Sequence, residues 1–249
     1  MRDLIAAERI RLLSLRSTHI FLACSFVIAV AAACLLCAKL NIRPEDRASF
    51  PSADDAFSAD TGGLLMAIAG CFGAATMTGE YSSGLIRTMF TAVPARGRSM
   101  LARAVTLAAL AGIAGAAATI AVITASQVIL APGHYPALLS QPHGLRAAIA
   151  FTLLMPLGAV TGVAFGALLR SAVAAVTAVV AVLALLPGLL SGLLGPAARD
   201  LTAYGAWSVL SGQQASGTSA SAALSWLILC GWPAIAFMLA AVVVQRRDV

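Results

Sequence analysis

The chain has 249 residues, 60% of them apolar and only 10% charged, with a formal net charge of +6. Soluble domains carry about a quarter of their residues as charged side chains, and each polar segment here is shorter than about 30 residues, too short for a core of its own. A soluble domain is excluded, and the lack of strand-like alternation argues against a transmembrane barrel. What remains is an all-α membrane protein, built from separate apolar runs of roughly 20 residues, the length a helix needs to cross a bilayer.

Residues 2–18 mix charge with apolar side chains. Arg2, Arg9 and Arg16 recur every seventh position and line one side of a helix. The apolar arc of Leu4, Leu12 and Leu15 is interrupted by Glu8. The segment reads as an interfacial helix on the membrane surface, and equally as a basic lead-in that orients the first span. That span is expected over residues 20–38. A cleaved signal peptide is disfavoured because further spans follow.

Residues 39–61 hold Glu45, Asp46, Asp54, Asp55 and Asp60 with Pro44 and Pro51, and read as an external loop. The second span is expected over 61–78. The third, over 100–131, is longer than a bilayer requires and is expected to tilt or project. Pro132, Gly133, Pro136 and Pro142 then form an external loop. Spans over 147–169 and 172–194 are joined by Arg170-Ser171, which leaves room only for a tight turn. Residues 195–221 are polar, with Tyr204 and Trp207 at interface-like positions. The sixth span is expected over 222–244.

Charge sets the expected orientation. With both termini cytoplasmic, the inner segments carry eleven arginines against four acids, and the outer ones five bases against six acids. An odd number of spans would place one basic end outside. The expected fold is therefore six transmembrane helices with both ends cytoplasmic, forming one transmembrane domain over 1–249.

Little in the spans carries chemistry. No charged residue or histidine lies near the middle of any expected span. That argues against an ion-driven carrier or an intramembrane enzyme. Cys24, Cys34, Cys37, Cys71 and Cys230 all sit in apolar runs without a His or acid beside them. They read as small packed residues, although Cys34-x-x-Cys37 also has the spacing of a metal or redox pair. No phosphate-binding loop or nucleophile–base pair is present. Catalytic, cofactor and metal residues are therefore not assigned to this chain. Gly158-x-x-x-Gly162-x-x-x-Gly166 lays three glycines on one face of the fourth span and marks a site of close helix packing. Pro156, Pro187 and Pro233 interrupt helical hydrogen bonding in three spans.

The segment 79–99 stands apart as the polar, basic interruption with its own helical pattern. Ser82 or Ser83 caps a short helix, and Leu85, Ile86, Met89, Phe90 and Val93 form an apolar stripe. Pro94 ends it. A helix this short is marginal in water and needs a surface to pack on. The plainer reading is a juxtamembrane loop held by positive charge.

Glu80-Tyr81-Ser82-Ser83-Gly84-Leu85-Ile86-Arg87, then Val93-Pro94-Ala95-Arg96-Gly97-Arg98, resembles the signature after the second span of ABC type-2 exporter permeases. The resemblance is to the actinobacterial-like branch of that family. Arg11-Leu12-Leu13-Ser14-Leu15-Arg16-Ser17-Thr18 resembles the family's basic lead-in, and Arg246-Arg247-Asp248 its usual ending. The resemblance implies a multi-pass subunit of the cell membrane that pairs with an identical or sister permease. It implies a separate cytoplasmic ATPase that binds ATP and Mg, seated on a coupling helix at about 83–93. Leu85, Ile86, Met89 and Phe90 would fill the ATPase groove, with Arg87 and Arg96 at its rim. Glu80 would tie the loop to the interfacial helix through Arg9 or Arg16. The segment before the sixth span would form a partly re-entrant outer gate. No nucleic acid partner is expected. The rival readings are a non-transporting membrane subunit that anchors an ATPase, as scaffold, immunity or signalling component, and an intramembrane enzyme. The substrate is left open.

Overall fold

The computed structural model describes residues 2–42, 57–82, 96–130, 144–212 and 221–246, and contains no strand among them. Helix α1 covers Arg2–Ser14 and α2 covers Arg16–Ile42, separated only by Leu15. The helix expected over 2–18 thus ends earlier, and Arg16 opens the spanning helix. Helix α3 is Ala59–Ser82, α4 is Arg96–Leu130 and α5 is Gly144–Leu169. Helix α6 covers Ala172–Leu194. Short helices α7 (Pro196–Arg199) and α8 (Ala203–Leu210) precede α9 (Ala222–Arg246).

Among the described residues, six helices are long and apolar enough to cross a membrane: Arg16–Ala38, Ala59–Tyr81, Gly97–Ile129, Gly144–Leu169, Ala172–Leu194 and Ala222–Arg246. Each overlaps the run read from the sequence, and the chain is a helical membrane protein. Both described ends lie at one face of the bundle. Glu8 of α1 meets Arg103 near the start of α4, and a side chain at Gly97 would touch Gln245 at the end of α9. The 35 residues of α4 extend roughly 50 Å, well beyond an apolar bilayer core of about 30 Å. The excess carries α4 out to where charged side chains are needed.

Helix α5 is the centre of the bundle, 61% buried over its span, with α3 next at 56%, against 22% for α6 and α9. The α3–α5 seam is made by small residues. A Cβ on Gly158 would strike the Met66 carbonyl, one on Gly162 the Gly70 carbonyl, and one on Gly166 would come within 2.8 Å of Met77 Cβ. In return, Gly73 of α3 lies against the Ala159 carbonyl of α5. Lipid tails are as apolar as leucine, so helices in a membrane gain little by burying bulk. They gain by close backbone approach and dispersion contact. The glycine row read from the sequence therefore faces one specific partner, α3.

Helix α6 is irregular. It passes through a π turn at Ala181–Leu185, with Pro187 just beyond. Pro187 has no N–H for the carbonyl of Leu183, four residues back, and its ring would crowd that carbonyl. The wider π turn absorbs the mismatch. At the other end of α6 the turn from α5 is as tight as expected: Arg170 adopts φ 55° and Ser171 is extended.

At the opposite face α8 is tucked inside the bundle. Trp207 is fully buried, in contrast to the interface-like position expected for it. It packs on Phe151 at 5.7 Å between ring centres, and Phe151 packs on Phe57 at 5.1 Å. The physical reason is the glycine pair of α3. A side chain at Gly62 would overlap the Trp207 indole, and one at Gly63 would lie 2.6 Å from Tyr204 Cδ2. The missing side chains open a slot that both rings of α8 fill.

Gly162→Val should therefore force α3 and α5 apart and lower stability by about 1–3 kcal/mol or more. Gly112→Ala, where an added Cβ meets nothing within 4 Å, should be neutral or slightly stabilising. Thermal unfolding of the two variants in detergent checks the pair. Equal melting temperatures would show that the seam is not close-packed.

Candidate functional site

Among the described residues, the buried charged side chains converge at the N-terminal face. Arg103 lies two turns into α4 and is 3% exposed, Glu80 near the end of α3 is 3% exposed, and Glu8 of α1 is 6% exposed. The Arg103 guanidinium donates to both Glu80 carboxylate oxygens, Nη1 to Oε2 and Nη2 to Oε1. Nη2 also donates to Glu8 Oε1 at 3.1 Å. Arg11 of α1 donates to Glu80 Oε1 and stands 3.8 Å from Glu8 Oε1. Two carboxylates and two guanidiniums thus form a neutral cluster joining α1, α3 and α4.

The chemistry explains the residue types. A planar guanidinium matches a carboxylate with two parallel donors, which a lysine ammonium does not. Arg103 Nη1 also reaches the Met77 sulfur at 3.4 Å, one turn below Glu80 on α3. Burial pushes the Arg11 pKa down, and the neighbouring charge of Arg103 pushes it the same way, while Glu8 opposes both.

The residue after Glu80 extends the attachment. The Arg170 guanidinium lies 5.5 Å from the centre of the Tyr81 ring, within reach of a cation–π contact. The last turn of α3 is therefore held by α1, by α4 and by the turn between α5 and α6. Residues 83–95 lead directly from that turn to the start of α4. The Glu80–Arg103 pair thus ties α3 to α4, the two helices that flank residues 83–95 in sequence.

Leu85, Ile86, Arg87, Met89 and Phe90 lie outside the described residues. Arg96 opens α4, and nothing is described of its side chain. Glu80 does meet α1, and the residue that makes the contact is Arg11, while Arg9 and Arg16 are exposed. Along α1, Glu8, Arg11 and Leu12 recur at helical spacing and point inward, so Glu8 belongs to the packed side rather than interrupting it. By spacing alone Arg103 merely follows Arg96 and Arg98 at the mouth of α4. The signal for its different role was its depth: it lies beyond Met100, Leu101 and Ala102, inside the apolar run.

A second polar group occupies the opposite face. The Tyr204 hydroxyl of α8 donates to Asp60 Oδ1 at the start of α3, and the Arg199 guanidinium lies 4.7 Å from the Tyr204 ring centre. They line a cavity of about 310 Å³ with Ala184, Pro187, Gly188 and Ser191 of α6. Burial pushes the Tyr204 phenol above its ordinary pKa, the Asp60 hydrogen bond and charge add to this, and Arg199 partly offsets it. Arg146 of α5 fixes the end of α8, donating to the Leu210 and Val209 carbonyls at 3.1 and 3.2 Å.

No family model matches this chain, and no curated protein matches it.

Glu80→Gln should cost about 3–5 kcal/mol, because it leaves Arg103 buried without its full counter-charge. Glu80→Gln combined with Arg103→Met should cost less than the sum of the single changes, since the second removes the orphaned charge. Unfolding midpoints for the four proteins of this cycle measure the coupling, and strict additivity would mean that the cluster is solvated.

Tyr204 supplies a pH test. Its neutral form is favoured in the fold, so its contribution to stability is complete below the ordinary tyrosine pKa of about 10. That contribution is lost as pH rises through the higher folded value. Phenolate absorbance should show a late-titrating component that Tyr204→Phe removes and Asp60→Asn moves to lower pH.

Proposed function

We propose that this chain is the membrane subunit of an ATP-binding-cassette exporter of the type-2 family, coupled to ATP hydrolysis on a separate subunit. The reading starts from the resemblance of residues 80–98 to that family's signature. The observation that carries it further is the attachment of Glu80 to Arg11 and Arg103. A short amphipathic helix transmits force only if its base is firm. Here the base is bolted to α1, α3 and α4 by charge-assisted hydrogen bonds in a buried setting, and Tyr81 links it to the α5–α6 turn. A displacement of segment 83–95 would thus reach several spans together, as a rigid-body movement requires.

In this reading the N-terminal face is cytoplasmic, in keeping with its excess of arginine. The subunit sits in the cell membrane as a homodimer or beside a sister permease. ATP and Mg are held by the ATPase. Leu85, Ile86, Met89 and Phe90 enter its groove, with Arg87 and Arg96 at the rim. The buried cluster then serves as the fulcrum that the sequence motif requires beneath the coupling helix.

The test is co-purification with any P-loop ATPase that an adjacent reading frame encodes. Met89→Asp with Phe90→Asp should abolish the complex, since loss of a buried apolar anchor weakens an interface by roughly 30-fold or more. An intact complex would remove the coupling helix from residues 83–93. An adjacent reading frame without a P-loop ATPase would count against the exporter reading as a whole.

A further inference from the structure

The cavity at the opposite face carries a ligand prediction that does not depend on an ATPase. Its two charged side chains are of opposite sign and are not paired with each other. Among the described residues neither Asp60 nor Arg199 forms an ion pair, and Tyr204 stands between them. Tyr204 occupies Asp60 Oδ1, which leaves Oδ2 as an acceptor. Arg199 rests on the Tyr204 ring, and among the described residues no carboxylate takes its N–H donors. A cavity with an anion on one wall and a cation on another is complementary to a molecule that carries both charges.

The position narrows the class. Asp60 is the second residue of α3, and Ser191 lies one turn from the end of α6. Arg199 follows in α7, just beyond the spans. This is the depth at which spanning helices leave the apolar core and meet phospholipid head groups. The α6 wall is open toward the hydrocarbon. Leu185 and Leu189, each next in sequence to the cavity-lining Ala184 and Gly188, are 59% and 60% exposed. A volume of about 310 Å³ is at the lower end of small-molecule sites, roughly 300–1,000 Å³, and suits a head group whose chains remain outside.

We propose that this cavity binds the head group of a phospholipid that carries a phosphate and a primary ammonium, the phosphoethanolamine class. Arg199 takes the phosphate through its planar donors. Asp60 Oδ2 accepts from the ammonium, and so does Ser191 Oγ, whose own hydrogen is donated to the Gly188 carbonyl at 2.8 Å. A trimethylammonium head has no N–H for these acceptors, so the site discriminates against phosphocholine. A head group with phosphate alone satisfies Arg199 and leaves Asp60 facing a like charge. The acyl chains lie along Leu185 and Leu189. The π turn at Ala181–Leu185 and Pro187 bring the irregular part of α6 to the cavity wall, which is where helices commonly depart from regular geometry at functional sites.

The test is native mass spectrometry of the purified full chain, with phosphatidylethanolamine, phosphatidylcholine and phosphatidylglycerol of matched acyl chains offered in turn. The wild type should retain phosphatidylethanolamine about tenfold or more over the other two, the discrimination expected for charge-assisted hydrogen bonds. Asp60→Asn should abolish the preference over phosphatidylglycerol. Arg199→Gln should weaken both lipids. Because Asp60 also anchors Tyr204, Gly188→Leu provides a variant that keeps every charge. An added Cβ there meets nothing within 4 Å, so the leucine should fill the cavity and displace the lipid while the unfolding temperature is unchanged. Equal retention of the three lipids by the wild type overturns the proposal. So does undiminished retention in folded Gly188→Leu. Binding of soluble phosphoethanolamine as tight as that of the lipid would overturn the membrane source of the ligand.

Discussion

Arg103 is an arginine inside an apolar run, and the N-terminal face is arranged around the need to neutralise it. A buried guanidinium without a counter-charge is prohibitively expensive in a low-dielectric medium. Glu80 supplies both oxygens of its carboxylate, Glu8 adds one of its own, and Arg11 balances the second acid. These four residues come from three helices separated by long stretches of chain. Their mutual requirement places α1 against the root of α4 and fixes the last turn of α3. A neutral packed core could hold these helices together, but it would allow sliding. A bidentate charge pair specifies one register.

The two faces of the bundle solve different problems. At the N-terminal face the charges are paired and the cluster is closed, which suits a firm attachment. At the opposite face Asp60 and Arg199 are held apart by Tyr204 around an open cavity, which suits a ligand. Between them the α3–α5 seam, from Gly158 against Met66 to Gly166 against Ala74, gives close backbone approach over about two turns of helix. A displacement applied at the Glu80 end would therefore travel along α3 to Asp60 as the motion of a stiff rod. If residues 83–95 receive a push from an ATPase, the cavity lies at the far end of the helix that they move.

Irregularities in the helices cluster where the fold has work for them. The π turn and Pro187 lie beside the cavity, and the left-handed Arg170 sits in the tight turn against Tyr81. Where α3 and α5 only pack, they are regular apart from Pro156, and their glycines serve proximity rather than flexibility.

Composition and run length determined by themselves that this is a helical membrane protein, with six helices among the described residues long and apolar enough to span, because the bilayer imposes length and apolarity on each helix separately. The tight Arg170-Ser171 turn and the packing role of Gly158, Gly162 and Gly166 were legible for the same reason: both are properties of a single segment. Partners were not legible. The family resemblance pointed Glu80 toward Arg9 or Arg16, whereas the helix turns Glu8, Arg11 and Leu12 inward and leaves Arg9 and Arg16 exposed. Trp207 looked like an interface residue because tryptophan usually is one, and only the slot left by Gly62 shows why it is buried. The Asp60–Tyr204–Arg199 cavity has no sequence signature, since its walls come from α3, α6, α7 and α8. Tertiary structure alone decided which charges meet. Pairing across long separations depends on the rotation and depth of whole helices, and periodicity within one helix does not record them.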